Sequence, residues 1–306
     1  MNVFAALLLA VAAHASTEAW RSLIQEADAL YQHGSYERAA SAATKAAAMA
    51  EHELGPGHPD VATSLNLLAL IHRASGDYAA AEGPQRRALA ILEKLLGPEH
   101  HSVAIAIGNL AELYQAQGRY GEAEKAYARA LGNVEAVLGP HHPNVATWLN
   151  ALAGVHYAQG RYAAAEPLYR RALSIRERAL GPYNPAVAAS LNNLAALHRA
   201  RGEYAAAESL YRRSLDIAAA RMGAGHPAVA VALGNLAELH GAQGEFAEAQ
   251  ALYEQALSIL ESALGPDHPD LVAPLETLSR LYRLGGRVEE ARALAARAAA
   301  IQARRR

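Results

Sequence analysis

The feature that most constrains this chain is a period. Gly55-Pro56, Gly97-Pro98, Gly139-Pro140, Gly181-Pro182 and Gly265-Pro266 lie 42 or 84 residues apart, and Gly223-Ala224 occupies the one gap. Three residues after each glycine stands His58, His100, His142, Asn184, His226 or His268, followed by proline in every case but His100. Self-similarity at a fixed interval of this length is the mark of a stacked array. One copy alone has too little apolar surface to bury, whereas neighbouring copies bury it against each other.

Each copy reads as two helices. In the copy that starts at His142, Pro143 suits the first helical position because its missing N–H would be unpaired there. His142 then falls at the N-cap, and Asn184, a strong capping residue, takes that place in the next copy. Leu149, Leu152, Ala153 and His156 recur at helical spacing and mark a buried stripe. Gly160 ends the first helix in a left-handed conformation. The second helix starts near Tyr162, turns Ala165, Tyr169, Ala172 and Leu173 inward, and stops at Leu180 before Gly181-Pro182. Small residues at fixed places let backbones approach, and the large ones fill the space beside them.

The pattern LxxLAxxHxxxGxYxxAxxxYxxAL resembles the tetratricopeptide repeat. The 42-residue length and the phrases LNNLAAL (Leu191 to Leu197), AEPLYRRAL (Ala165 to Leu173) and GPxHP resemble its long-helix variety, found in kinesin light chains and their bacterial relatives. The resemblance implies an all-α, right-handed superhelical solenoid of about seven helix-turn-helix units over residues 16–306, near 16–57, 58–99, 100–141, 142–183, 184–225, 226–267 and 268–306. It also implies binding of a protein or peptide in a concave groove lined by the first helices.

Two units depart from the pattern. In the first, Glu26 stands where later units place leucine and Ala43 where several place tyrosine, as suits a repeat with one solvent-facing side. In the unit from His58, Pro84 lies inside the second helix and Gln85 replaces the tyrosine. Pro84, like Pro167 one unit pair later, is expected to adjust curvature.

Residues 1–15 differ from the rest. Val3 to Ala13 is apolar, and Ala13-His14-Ala15 offers a small-x-small cleavage site, although no Lys or Arg precedes the run. This reads as a secretory signal, too short to span a bilayer, and predicts export, to a periplasm in a bacterium. The other reading is an apolar helix capping the stack in a cytoplasmic protein.

Composition narrows the chemistry. A formal net charge of −2 gives no field that attracts nucleic acid or an acidic membrane. The absence of cysteine removes disulfides, thiolate metal sites and a cysteine nucleophile. The histidines recur one per repeat, and packed helix axes about 8–10 Å apart keep them from sharing one metal ion. His72, His156, His198 and His240 alternate with Tyr114 and Tyr282 at one place, which points to packing with a polar tip. Glu82, Glu124, Glu166 and Glu208 repeat near the start of each second helix, where the helix dipole favours them. No phosphate loop, nucleophile elbow or carboxylate pair stands out, so no enzyme activity, metal or cofactor is expected.

The face opposite the buried stripe carries the candidate binding residues. They are Asn150 and Tyr157 in the central unit, Asn66 and Arg73, Glu112 and Gln115, Asn192 and Arg199, and Glu238, flanked by Asn109, Asn193 and Asn235. Asparagine inside a helix costs roughly 0.5 kcal/mol relative to alanine, and a recurrent cost suggests a recurrent use. A side-chain amide can pair with an extended peptide backbone of any sequence, and Arg73 and Arg199 can select a carboxylate. The competing reading has these amides bonding to the neighbouring helix and serving the stack. Three functions stay open: a non-enzymatic interaction scaffold, an architectural part of an envelope complex that uses its edges or convex face, and a regulatory subunit of an enzyme on another chain.

Overall fold

The computed structural model describes residues 18–304; the leader-like segment 1–15 lies outside them. The described residues form α-helices and one 3-10 turn, with no strand among them. They divide into two compact units, one through Gln159 and one from Gly160. The first unit holds α1 (Glu18–Gln32), α2 (Tyr36–Leu54), α3 (Pro59–Ala74), α4 (Tyr78–Leu96), α5 (His101–Ala116), α6 (Tyr120–Leu138) and α7 (Pro143–Ala158). The second holds α8 (Tyr162–Leu180), α9 (Pro185–Ala200), α10 (Tyr204–Met222), α11 (Pro227–Gln243), α12 (Phe246–Leu264), α13 (Val272–Leu284) and α14 (Val288–Ala303).

The recurrent histidine is the N-cap that the spacing predicts. Nδ1 of His58, His100, His142, His226 and His268 accepts a hydrogen bond from the backbone N–H two residues on, at 3.1–3.2 Å. Asn184 does the same through Oδ1 at 2.9 Å. An Nδ1 that accepts carries no proton, so the ring in these caps holds its hydrogen on Nε2. Gly160 takes φ +71°, the left-handed turn expected of it. Only the last first-helix departs, opening as a 3-10 turn at Pro269–Leu271 before α13. Pro274 explains this, since it has no N–H to donate to the Asp270 carbonyl and its ring crowds that carbonyl. α4 and α8 stay single helices through Pro84 and Pro167.

The cores follow the small–large rule. In the first unit Ala81, Ala88, Val103, Ala111, Ala123 and Ala130 are fully buried beside Leu67, Ile71, Leu92 and Leu113. In the second, Ala195 and Ala207 share a cluster with Tyr211, Leu236 and Leu239. Charge pairs register several of the second helices on their neighbours. Arg87 Nη2 meets Glu51 at 2.6 Å and Arg129 meets Glu93 in the first unit. Arg213 Nη1 meets Glu177 at 2.6 Å and Arg297 meets Glu261 in the second. The periodic glutamates also do more than face a helix dipole. Glu82 takes Arg119 from the next turn at 2.5 Å, and that hydrogen bond holds its carboxyl below the usual range against the effect of burial. Glu166 is lowered first by Arg170 and then by Arg201, which reaches it at 2.6 Å.

The histidines and tyrosines at the alternating place pack with polar tips. His198 and His240 hold Glu203 and Glu245 through Nδ1 at 2.5 Å, and Tyr282 donates to Glu254 at 2.6 Å. The Arg119 guanidinium lies 4.4 Å above the Tyr114 ring.

Candidate functional site

The exposed rows of the first helices carry the residues singled out by the sequence, and each unit is described separately. In the first unit Arg73 of α3 is ion-paired with Glu112 of α5. Behind them Tyr127 of α6 is buried, and its hydroxyl is pushed up, mainly by burial and further by Glu112, with Arg73 opposing. In the second unit Arg199 Nη1 of α9 meets Glu238 Oε2 of α11 at 2.6 Å. Tyr253 of α12 stands behind that pair, pushed up to about 12 by burial and by Glu238, with Arg280 and Arg199 opposing. The two groups match residue for residue at a separation of 126, three periods of the chain.

These pairs change the expected role of the arginines. Arg73 and Arg199 were expected to be open for a ligand carboxylate, but each already faces a glutamate 39 residues on. One period less three residues places that glutamate one helical turn earlier on the next first-helix, within reach of the arginine. A paired guanidinium and carboxylate keep hydrogen-bonding capacity but present little net charge. The row therefore suits a peptide backbone better than a charged group.

The asparagines separate into three kinds. Asn66 is buried, and its Oδ1 accepts from Gln85 Nε2 at 3.1 Å; Gln85 also donates to the Ala106 carbonyl at 3.3 Å. This amide serves the stack, and the signal was the glutamine in place of tyrosine at position 85. Asn150 donates from Nδ2 to the Ala146 carbonyl of its own helix at 3.0 Å. The Oδ1 of Asn192 is shut off from solvent and has no hydrogen-bond partner. Asn109, Gln115, Tyr157 and Asn235 are half-buried and Asn193 is exposed.

One residue that the sequence reading passed over shapes the first unit's row. A Cβ at Gly108 of α5 would lie 2.4–2.5 Å from ring atoms of Trp148 on α7, so glycine there admits the indole. Tryptophan is rare in this chain, with two residues in all, which was the available signal. Among the described residues, no group of three or more His, Asp or Glu side chains converges as a metal site requires. No helix among them is long and apolar enough to cross a membrane.

Comparison with known proteins places this geometry. No curated protein matches the chain by sequence. Among solved structures, BtubC (BKLC) from P. vanneervenii superposes with a TM-score of 0.60 at 25% identity, over 82% of this chain and 94% of its own. The putative kinesin light chain TPR-like repeats of Podosopora anserina give 0.57 at 27% identity, over 68% of this chain and 98% of theirs. Aspartyl phosphate phosphatase F from Bacillus subtilis gives 0.65 over 92% of this chain and 70% of its own, but at 13% identity it shares the fold alone. The tetratricopeptide repeat model matches residues 19–94, 81–136, 102–178, 145–220 and 228–304. With nearly all of its described length covered by that repeat, the chain belongs to the tetratricopeptide repeat family.

Proposed function

We propose that this protein is a non-enzymatic interaction scaffold that binds an extended segment of a partner protein along the exposed rows of its first helices. The observation that carries this reading is Asn192, a helix-interior amide whose Oδ1 has no partner in the fold, placed two turns before the charge-compensated Arg199–Glu238 pair. Such an amide is costly in a helix unless something outside the fold pairs with it. A peptide bond offers the matching donor and acceptor. The paired charges beside it orient a ligand without demanding that it be acidic.

The test is capture from extract of the native cell by the full chain and by a variant with Asn150, Asn192 and Asn193 changed to alanine and Arg199 to glutamate. A partner held by the first and lost from the second, at unchanged helical content, supports the reading. Equal capture moves the binding surface to an edge or to the second helices, and favours an architectural role. We also propose export, on the sequence of residues 1–15 alone; the mass of the protein recovered from the native cell tests it, with a mature chain starting near Ser16 expected.

A further inference from the structure

The second unit contains a cavity of about 240 Å³ between α9, α10 and α11, lined chiefly by Ala188, Ile217, Ala218, Met222 and Val231, with the Asn192 amide at its wall. Its only other polar lining group, the Ser214 hydroxyl, already donates to the Ala188 carbonyl at 3.2 Å. Val231 is 59% exposed beside this apolar hollow, and Met222, at 41%, is exposed much as its counterpart Leu96 is at 39%.

The same register 126 residues earlier, inside the first unit, is closed by the chain itself. There Leu92 holds the place of Ala218 and is fully buried, and Asn66 holds the place of Asn192 and is bonded to Gln85. Two braces flank that seam: Arg129 on Glu93, and Asn133 Nδ2 on the Pro98 carbonyl at 2.5 Å. Their counterparts in the second unit are Gln255 with Ala219, and Ile259 with Ala224, which can make neither bond. Plug, amide partner and both braces are thus missing from one seam.

We propose that this cavity is a subsite for a leucine-sized aliphatic side chain of an extended peptide, whose backbone pairs with the Asn192 amide. The inference rests on the scaffold reading and adds which side chain the row selects. Leu92 shows what fits the slot when the chain fills it. A ring suits this register poorly, because where the Trp148 ring lies closest against a first helix that helix has glycine, Gly108, at the place this helix gives to Asn192. The volume also falls below the roughly 300–1,000 Å³ of small-molecule sites, so a single side chain suits it better than a cofactor. An apolar hollow of this kind holds water poorly and binds an apolar group readily.

The test uses the full chain with labelled methionine methyl groups, of which the sequence has three, Met1, Met49 and Met222. The probe is N-acetyl-leucine methylamide, with the alanine and tryptophan analogues as controls. The Met222 signal is expected to move saturably with the leucine probe alone, while Met49 stays still. Ala218→Leu, which installs the residue the first unit already carries, abolishes the shift, and Asn192→Ala weakens binding about fivefold, the worth of one net hydrogen bond. No shift at Met222, an unchanged shift in Ala218→Leu, or a stronger response to the tryptophan probe overturns the proposal. The titration needs no partner, so the two readings fail separately: a partner still captured by Ala218→Leu sinks the subsite and leaves the scaffold standing.

Discussion

Asn66 and Asn192 occupy the same place in helix pairs three periods apart, yet the Oδ1 of Asn66 accepts from Gln85 while that of Asn192 has no partner; the Nδ2 of Asn66 is left without one. Their neighbours on the row are the same, Arg73–Glu112–Tyr127 in one unit and Arg199–Glu238–Tyr253 in the other. The difference comes from the second helix behind them, which supplies Gln85 in the first case and Tyr211 in the second. A groove position is therefore defined less by its own residue than by whether the scaffold has used that residue's hydrogen bonds. Gly108 and Gly234 form a second such pair, with Trp148 against the first and only Tyr253, at 3.9 Å, near the second.

The sharpest break of this comparison is at the glycines. Gly108→Ala drives a methyl into the Trp148 ring and is expected to cost about 1–3 kcal/mol. Gly234→Ala meets ordinary contact and is expected to gain up to about 1 kcal/mol from helix propensity. Hydrogen exchange resolved by helix reads both, and equal effects would mean that the rows are packed alike. Next comes the amide pair. Gln85→Leu leaves Asn66 Oδ1 and the Ala106 carbonyl buried without that donor and is expected to destabilise α3–α5 by about 1–3 kcal/mol. Asn192→Ala should leave α9 unharmed or firmer by roughly 0.5 kcal/mol; a loss there comparable to that at Gln85 would show that Asn192 serves the stack.

Alkaline titration separates the second unit's tyrosine from exposed ones. The folded value of Tyr253 is raised from 10.0 to about 12, so the folded state holds its proton more tightly than the unfolded chain. Stability from this group is fully present below pH 10.0 and is lost as pH rises towards about 12. Tyrosinate absorbance should therefore show Tyr253 ionising late, with Tyr253→Phe removing that step and flattening the alkaline loss of stability. The smallest effect is expected from the ion pairs. Double-mutant cycles on Arg73–Glu112 and on Arg199–Glu238 should each give about 0.2–1 kcal/mol, falling with salt, because both pairs are partly solvated. A much larger coupling at one of them would mark that pair as structural.

The repeat was legible because it depends on local rules that each copy obeys. His142 and Asn184 announced their caps, Gly160 its turn, and Ala153 and Ala165 the close approach of helices. The candidate row was legible as a register, since residues on one face of a helix recur every three or four positions. Its state of bonding was not. Arg73 and Glu112 belong to different repeats, as do Gly108 and Trp148, and nothing in one copy's pattern says which long side chain crosses to the next. The 3-10 opening at Pro269–Leu271 was not legible in the shared pattern because Pro274 belongs to this copy alone.

The sequence by itself determined the repeat length, the helix boundaries, the capping residue of each first helix and the faces that are buried, because these follow from backbone hydrogen bonding and hydrophobic periodicity along a single segment. Only the tertiary structure decided that Arg73 and Arg199 are already paired, that Asn66 Oδ1 has a partner while Asn192 Oδ1 has none, and that Ala218 borders a hollow where Leu92 is a buried side chain. Those outcomes depend on side chains brought together across helices, where a change of one methylene group or one amide settles whether a position is filled by the fold or left for a partner.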